Sequence, residues 1–263
     1  MSWARLRAEL DAWHAAGRTA TLWWRDDGVC DWTPALYRLV QIAAAGPVPL
    51  ALAVPPLAAA PRLAQRLPSG SGVRLLQYGY AGRNHAPPGA SPAEYPEGRS
   101  GTALTGEVCH GWLSLAELFG RRALPVFVPP WQRTSTTLPN VLAGLGFHGI
   151  SLAGTRALPE RAPGLVAVNV HADLAAPDGT NSFAGERPIL TDLIGHLRAR
   201  RLGTADPAEP TGLRTAHLEL EPRAWAFLER LVAATANHPA VRFPAPEVIF
   251  ARPSARQPAP APA

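Results

Sequence analysis

The chain has 263 residues, of which 47% are hydrophobic and 17% charged, a composition that fits one large globular domain and excludes a collagen-like, disordered or small disulfide-stapled protein. Its 25 basic residues against 20 acidic ones give a net charge of +5, and every basic residue is Arg, which excludes a Lys Schiff base and a phosphate-loop Lys. The charge is spread out, dense only at Arg121-Arg122 and at Arg198, Arg200 and Arg201, without the aromatic-interleaved basic stripe of a nucleic-acid surface.

Cys30 and Cys109 have no CxxC partner, so a thiolate zinc site is excluded and buried free thiols are expected. No stretch approaches the roughly 18 unbroken apolar residues of a membrane helix, and residues 1–18 have helical spacing in place of a signal peptide. A soluble, cytoplasmic protein is the expectation, and the sequence carries no signal of oligomeric state.

In chain order, Trp3, Leu6, Leu10 and Trp13 mark one face of a first helix. The β-branched and aromatic run 19–24 predicts a buried strand that ends in Arg25-Asp26-Asp27-Gly28. Thr33-Pro34 opens a helix to about residue 45. A strand at 49–54, a short helix at 61–67 and a strand at 73–78 follow. The Pro-, Gly- and Ser-rich stretch 82–106 reads as a long loop. Beyond it the pattern predicts helix 112–119, strand 124–128, helix 138–145, strands 148–152 and 165–171, helix 189–201, strand 213–220, helix 222–234 and a last strand at 241–243. One domain is expected over 1–251, with a disordered Pro/Ala-rich tail over 252–263.

Strands alternating with helices about seven times point to a (β/α) barrel or an open doubly wound sheet, and in either ligands bind at the strands' C-terminal ends. Polar residues gather there: Asp26-Asp27, Gln77-Tyr78, Trp131-Gln132-Arg133, His171 to Asp173, and His217. Two adjacent carboxylates leaving a buried strand can divide the work of cation ligand and base. They can equally pair with Arg25 or cap the next helix. Tyr78, Tyr80 and Trp131 at strand ends are placed to stack on a sugar ring, whereas Trp23 and Trp112 read as core.

Five ordered segments carry a resemblance: Trp24-Arg25-Asp26-Asp27-Gly28; Leu76 to Ala81 with Asn84-His85-Ala86-Pro87-Pro88; Pro125 to Trp131; Asn169 to Asp173; and Glu209 to Leu213 with Thr215 and His217. Over residues 19–243 they resemble the polysaccharide deacetylases, in a divergent soluble bacterial branch. The resemblance implies a deformed (β/α)7 barrel and a divalent metal, usually zinc, that activates water to remove an N- or O-acetyl group from a sugar. It implies Asp26 as general base, Asp27 as metal ligand, His217 as the acid for the leaving group, and Pro130, Trp131 and Asp173 along the substrate groove, where the strand-end Tyr78 and Tyr80 are also expected. It also exposes a departure, because the family's two metal-binding histidines fall on Tyr78 and Gly82. A glycine offers no ligand, and a phenol with pKa about 10 ligates zinc poorly. His85 and His171 are the substitutes that could complete a site with Asp27. Two functions therefore stand side by side: a deacetylase-like hydrolase with a rearranged metal site, and a non-catalytic relative that binds a carbohydrate or a partner protein through the same groove.

Overall fold

The computed structural model describes residues 2–176 and 182–251; the segment 252–263 read as a tail lies outside them. The first half follows the expected alternation: α1 (Trp3–Ala15), β1 (Ala20–Asp27), α2 (Pro34–Ala45), β2 (Leu50–Val54), α3 (Pro61–Arg66) and β3 (Val73–Tyr78). Ser2 caps α1 through the Arg5 N–H, and Thr33 caps α2 through the Leu36 N–H.

The loop expectation for 82–106 is corrected at its end. α4 spans Gly101–Phe119, with Ser100 as its N-cap accepting from the Ala103 N–H. Gly101, Gly106 and Gly111 hide these first turns because glycine is a poor helix former. Gly111 is there for packing: a Cβ at this position would lie 2.5 Å from Gln77 Nε2 and 2.9 Å from Pro56 Cγ, so only a bare backbone lets α4 lie on β3.

The chain continues through β4 (Ala123–Val128), α5 (Leu138–Gly144), β5 (Gly149–Ile150), β6 (Glu160–Ala162), β7 (Leu165–Ala167), β8 (Ala172–Asp173), α6 (Glu186–Leu202), β9 (Thr211–Thr215), α7 (Pro222–Ala236), β10 (Val241–Arg242) and α8 (Pro246–Ile249). The strand expected at 213–220 ends at Thr215, and His217–Glu219 form a single 3₁₀ turn.

The strand order is β6-β7-β5-β4-β3-β2-β1-β9-β8, with β10 also on β1, and every pairing is parallel except β6 with β7. The extended run 165–173 closes this sheet. Its first half pairs with β5 and its second half with β9, and an Ala153–Val170 bridge lies between. Val168 N–H donates to Ile150 O, and His171 N–H to Gly212 O. β1 to β5, this run and β9 thus form a deformed seven-stranded barrel with helices outside it.

Side chains alternate across each strand. Leu22, Trp24, Leu50, Leu52, Val54 and Leu75 face outward into the helices, in one core with Leu6, Leu36, Leu193 and Leu228. Trp23, Ala51, Ala53, Leu76, Val126, Val128, Val166, Val168 and Val170 pack inside, closed below by Phe250, whose ring meets Trp23 edge-on at 5.6 Å. Small residues make this narrow interior possible: a Cβ on Gly212 would lie 2.5 Å from Trp23 Nε1, and one on Gly149 would lie 2.5 Å from Phe250 Cδ1. The inward sequence Trp23, Arg25, Asp27 therefore runs from apolar floor to polar mouth.

Candidate functional site

At the mouth, Asp27 stands at the end of β1 beneath the β9 residue Arg214. Arg25 Nε donates to Asp27 Oδ1 at 2.7 Å and Nη2 to Oδ2 at 3.0 Å, while Arg214 Nε reaches Oδ2 at 2.7 Å and Gln132 Nε2 reaches it at 3.2 Å. Arg25 is fully buried and also donates to Ser151 Oγ at 2.5 Å and Gln132 Oε1 at 3.0 Å. Arg214 Nη1 continues to Asp173 Oδ2 at 2.6 Å. Two guanidiniums and two carboxylates form a neutral cage. Burial pushes the Asp27 carboxyl up, but the charges and hydrogen bonds of Arg25 and Arg214 outweigh it and hold the group below its ordinary value. Burial would lower the Arg214 guanidinium, yet Asp27 and Asp173 raise it.

The loop after β4 helps build the cage. Trp131 (φ 56°) and Gln132 (φ 58°) both lie in the left-handed region, an uncommon conformation for residues with a Cβ. This turn sends the Gln132 amide to Arg25 and Asp27 and leaves the Trp131 ring 40% exposed. Pro130 is buried against Gly79.

Asp26 faces the other side of β1 and is fully buried. Its Oδ1 accepts from His217 Nδ1 at 2.6 Å, and its Oδ2 from Thr215 Oγ1 at 2.5 Å and from the His217 N–H at 3.0 Å. Thr215 Oγ1 in turn accepts from Trp24 Nε1 at 2.9 Å. Both carboxylate oxygens are occupied, so Asp26 orients His217. His217 Nε2 is buried and has no hydrogen-bond partner among the described residues.

Tyr78 and Gly82, which the resemblance sets against the family's histidines, do other work. Burial first, and then the Asp27 charge, push the Tyr78 phenol up to about 12, so it stays neutral. Gly82 donates its N–H to Glu94 Oε1 at 2.9 Å, beside Ala81 N–H at 2.7 Å, while Tyr80 N–H reaches Oε2 at 3.1 Å. The buried Glu94 carboxylate thus organises the turn that follows β3. His85 is exposed and contributes its backbone N–H to Ala93 O. Tyr80 turns to α4, its hydroxyl 3.0 Å from His110 Nδ1.

His171 enters a separate buried cluster. Its ring stacks on His196 of α6 at 3.3 Å between centroids, and the two Nε2 atoms lie 3.5 and 3.7 Å from the Glu209 carboxylate. Burial pushes Glu209 up, but the two imidazoles outweigh it and hold the carboxyl down at about 2; burial lowers His196 to about 4. His171, His196 and Glu209 have the donor types of a metal site. However, His171 Nδ1 accepts the Gly212 N–H at 2.9 Å, so in the neutral ring the proton sits on Nε2 and that atom has no lone pair for a metal. The Asp27 position does not fit zinc either, because the carboxylate is buried, Oδ2 already accepts from three N–H donors and Oδ1 from a fourth, and two fixed positive charges adjoin it.

Sequence reasoning placed Asp26 with His217, and Asp27 with Tyr78 and Asp173, at the strand ends. It placed Gln132 among them within Trp131-Gln132-Arg133 but gave it no role, and it missed Arg214 and Ser151. The available signal for Arg214 was an arginine at an inward position of a buried strand, in register with Arg25.

No protein-family model matches the sequence, and no curated protein matches it. Among solved structures, a protein from Mycobacterium smegmatis assigned as a polysaccharide deacetylase aligns at TM-score 0.61 and 17% identity, over 89% of this chain and 90% of that one. A peptidoglycan N-acetylglucosamine deacetylase aligns at TM-score 0.54 and 12% identity, over 92% and 97%. A mutant of a pseudoenzyme of carbohydrate esterase family 4, with restored enzymatic activity, aligns at TM-score 0.52 and 10% identity, over 82% and 62%. The fold is that of the family 4 polysaccharide deacetylases, as the five sequence segments implied.

Proposed function

We propose that this chain is a polysaccharide deacetylase-family barrel that recognises an acetylated carbohydrate at its mouth without metal-dependent hydrolysis. The observation that carries the reading is the Asp27 carboxylate, the family's metal ligand by resemblance, gripped instead by Arg25 and Arg214. A divalent cation would have to displace a guanidinium and then find two more ligands where Tyr78 and Gly82 stand. The same mouth retains what sugar recognition needs. Trp131 offers an exposed aromatic face, and Gln132, Asp173, Arg214 and the Tyr78 hydroxyl offer a polar edge. The structural neighbours named as deacetylases support an acetylated sugar as the ligand class.

The test is elemental analysis of purified, zinc-loaded protein alongside acetate release from chitooligosaccharides and acetylxylan. The expected result is zinc far below one equivalent and no acetate above the buffer control. One equivalent of zinc with metal-dependent acetate release would overturn the reading. Tyr78→His with Gly82→His should not restore zinc alone, because Arg25 and Arg214 still hold Asp27 and Gly82 sits at φ 67°.

A further inference from the structure

We infer that Arg214 takes the acyl carbonyl of the bound sugar, a guanidinium N–H serving where the family's fold would present a metal. The inference rests on the carbohydrate-recognition reading and adds a ligand group and a specificity residue to it. A guanidinium carries five N–H groups in a fixed fork. Arg214 commits Nε to Asp27 and Nη1 to Asp173, and its Nη2 has no acceptor among the described residues. The side chain is 17% exposed, so this fork opens to the mouth while its base is clamped on both sides.

Charge selects the ligand group. Arg25 and Arg214 are balanced by Asp27 and Asp173, so the cage has no surplus charge to neutralise an ion. A carboxylate or phosphate approaching Arg214 would meet Asp173, and an ammonium would meet the guanidinium. A neutral carbonyl oxygen needs one strong, fixed donor and brings no charge of its own. An exposed aromatic ring, Trp131, belongs to the same loop that reaches Asp27. Gln132, next in sequence to Trp131, donates to the same Asp27 Oδ2 that accepts from Arg214 Nε. In the proposed complex a pyranose stacked on Trp131 directs its acetamido group to this guanidinium.

The test is calorimetric titration of the intact protein with triacetylchitotriose and with the free-amine glucosamine trimer, at neutral pH. The acetylated trimer should bind roughly ten-fold tighter or more, the worth of one hydrogen bond from a charged donor. Arg214→Lys keeps a positive charge by Asp27 and removes the second N–H edge, and should abolish the preference while leaving weak binding. Trp131→Ala should weaken both trimers alike. Equal wild-type affinities, tighter binding of the amine, or a preference that survives Arg214→Lys would each overturn the role of Arg214 and leave the groove reading standing. Binding of neither trimer would overturn the groove reading and the inference with it. If Arg214→Lys fails to fold, the wild-type comparison decides alone.

Discussion

Replacing Arg25 with Met tests whether the cage is an integral part of the barrel. Arg25 is fully buried and donates four hydrogen bonds, two to Asp27 and one each to Ser151 and Gln132. Met fills most of the volume but leaves Asp27 and Asp173 facing Arg214 alone, one carboxylate in excess. Breaking a buried pair costs about 3–5 kcal/mol. Because Asp27 keeps Arg214 and Gln132, the lower end, about 3 kcal/mol, is expected. Arg25→Met with Asp27→Leu removes both charges and leaves Arg214 paired to Asp173, so the double variant should cost about 1 kcal/mol or less. The measurement is urea unfolding followed by tryptophan fluorescence and circular dichroism, with the m-value shared among variants as a check on two-state behaviour. A cost below about 1 kcal/mol for Arg25→Met would refute the reasoning. So would a double variant as damaging as the two singles together.

Two further outcomes follow from other parts of the fold. Glu209 titrates at about 2 against 4.5, and His196 at about 4 against 6.5, so both bind protons more weakly when folded. Stability is then complete above pH 6.5 and falls on acidification, first through His196 and then, below 4.5, through Glu209, by up to about 3 kcal/mol each. Glu209→Gln should flatten the pH dependence of unfolding below 4.5, and a curve parallel to the wild type would remove Glu209 from the account. Gly79→Ala places a Cβ 1.9 Å from Glu94 Oε2 and 2.6 Å from Pro130 Cγ at φ 54° and should cost more than about 2 kcal/mol. Gly82→Ala, at φ 67° but with open space around it, should cost about 1 kcal/mol, and equal losses for the two would show that the Glu94 contact does not matter.

The barrel strands were legible because each lies in a run of β-branched, aromatic or aliphatic residues, and the inward positions 23, 25 and 27 follow from alternation alone; the edge strand β6, Glu-Arg-Ala, carries no such run and was not. The start of α4 was not, since its glycines answer to Gln77 and Pro56, contacts that exist only after folding. At the site, the sequence raised a pairing of Arg25 with the aspartates as one alternative, and that alternative holds for Asp27. Arg214 stood out only as an arginine inside a buried strand, and its role was not legible because its partner Asp27 lies 187 residues away. The separation of Asp26 from Asp27 onto opposite faces is plain from strand period, yet the resemblance assigned both to one centre. The His171 cluster draws on three elements with no local spacing, and its hydrogen-bonding tautomer rests on the Gly212 backbone.

The run 165–173, half on β5 and half on β9, has a consequence for how the chain is made. The edge of β1 opposite β2 stays unpaired until β9 is made, and then β10 joins its first residues; Asp26 meets His217 across 191 residues. At synthesis rates of about 5–20 residues per second, the outer edge of β1 waits roughly 10–40 s for its partner. Through that interval Trp23 and Trp24 sit on an open parallel edge, the kind of surface on which chains join one another. The cage and the Asp26–His217 contact both span this seam, so the candidate site and the closure of the barrel form in the same late event.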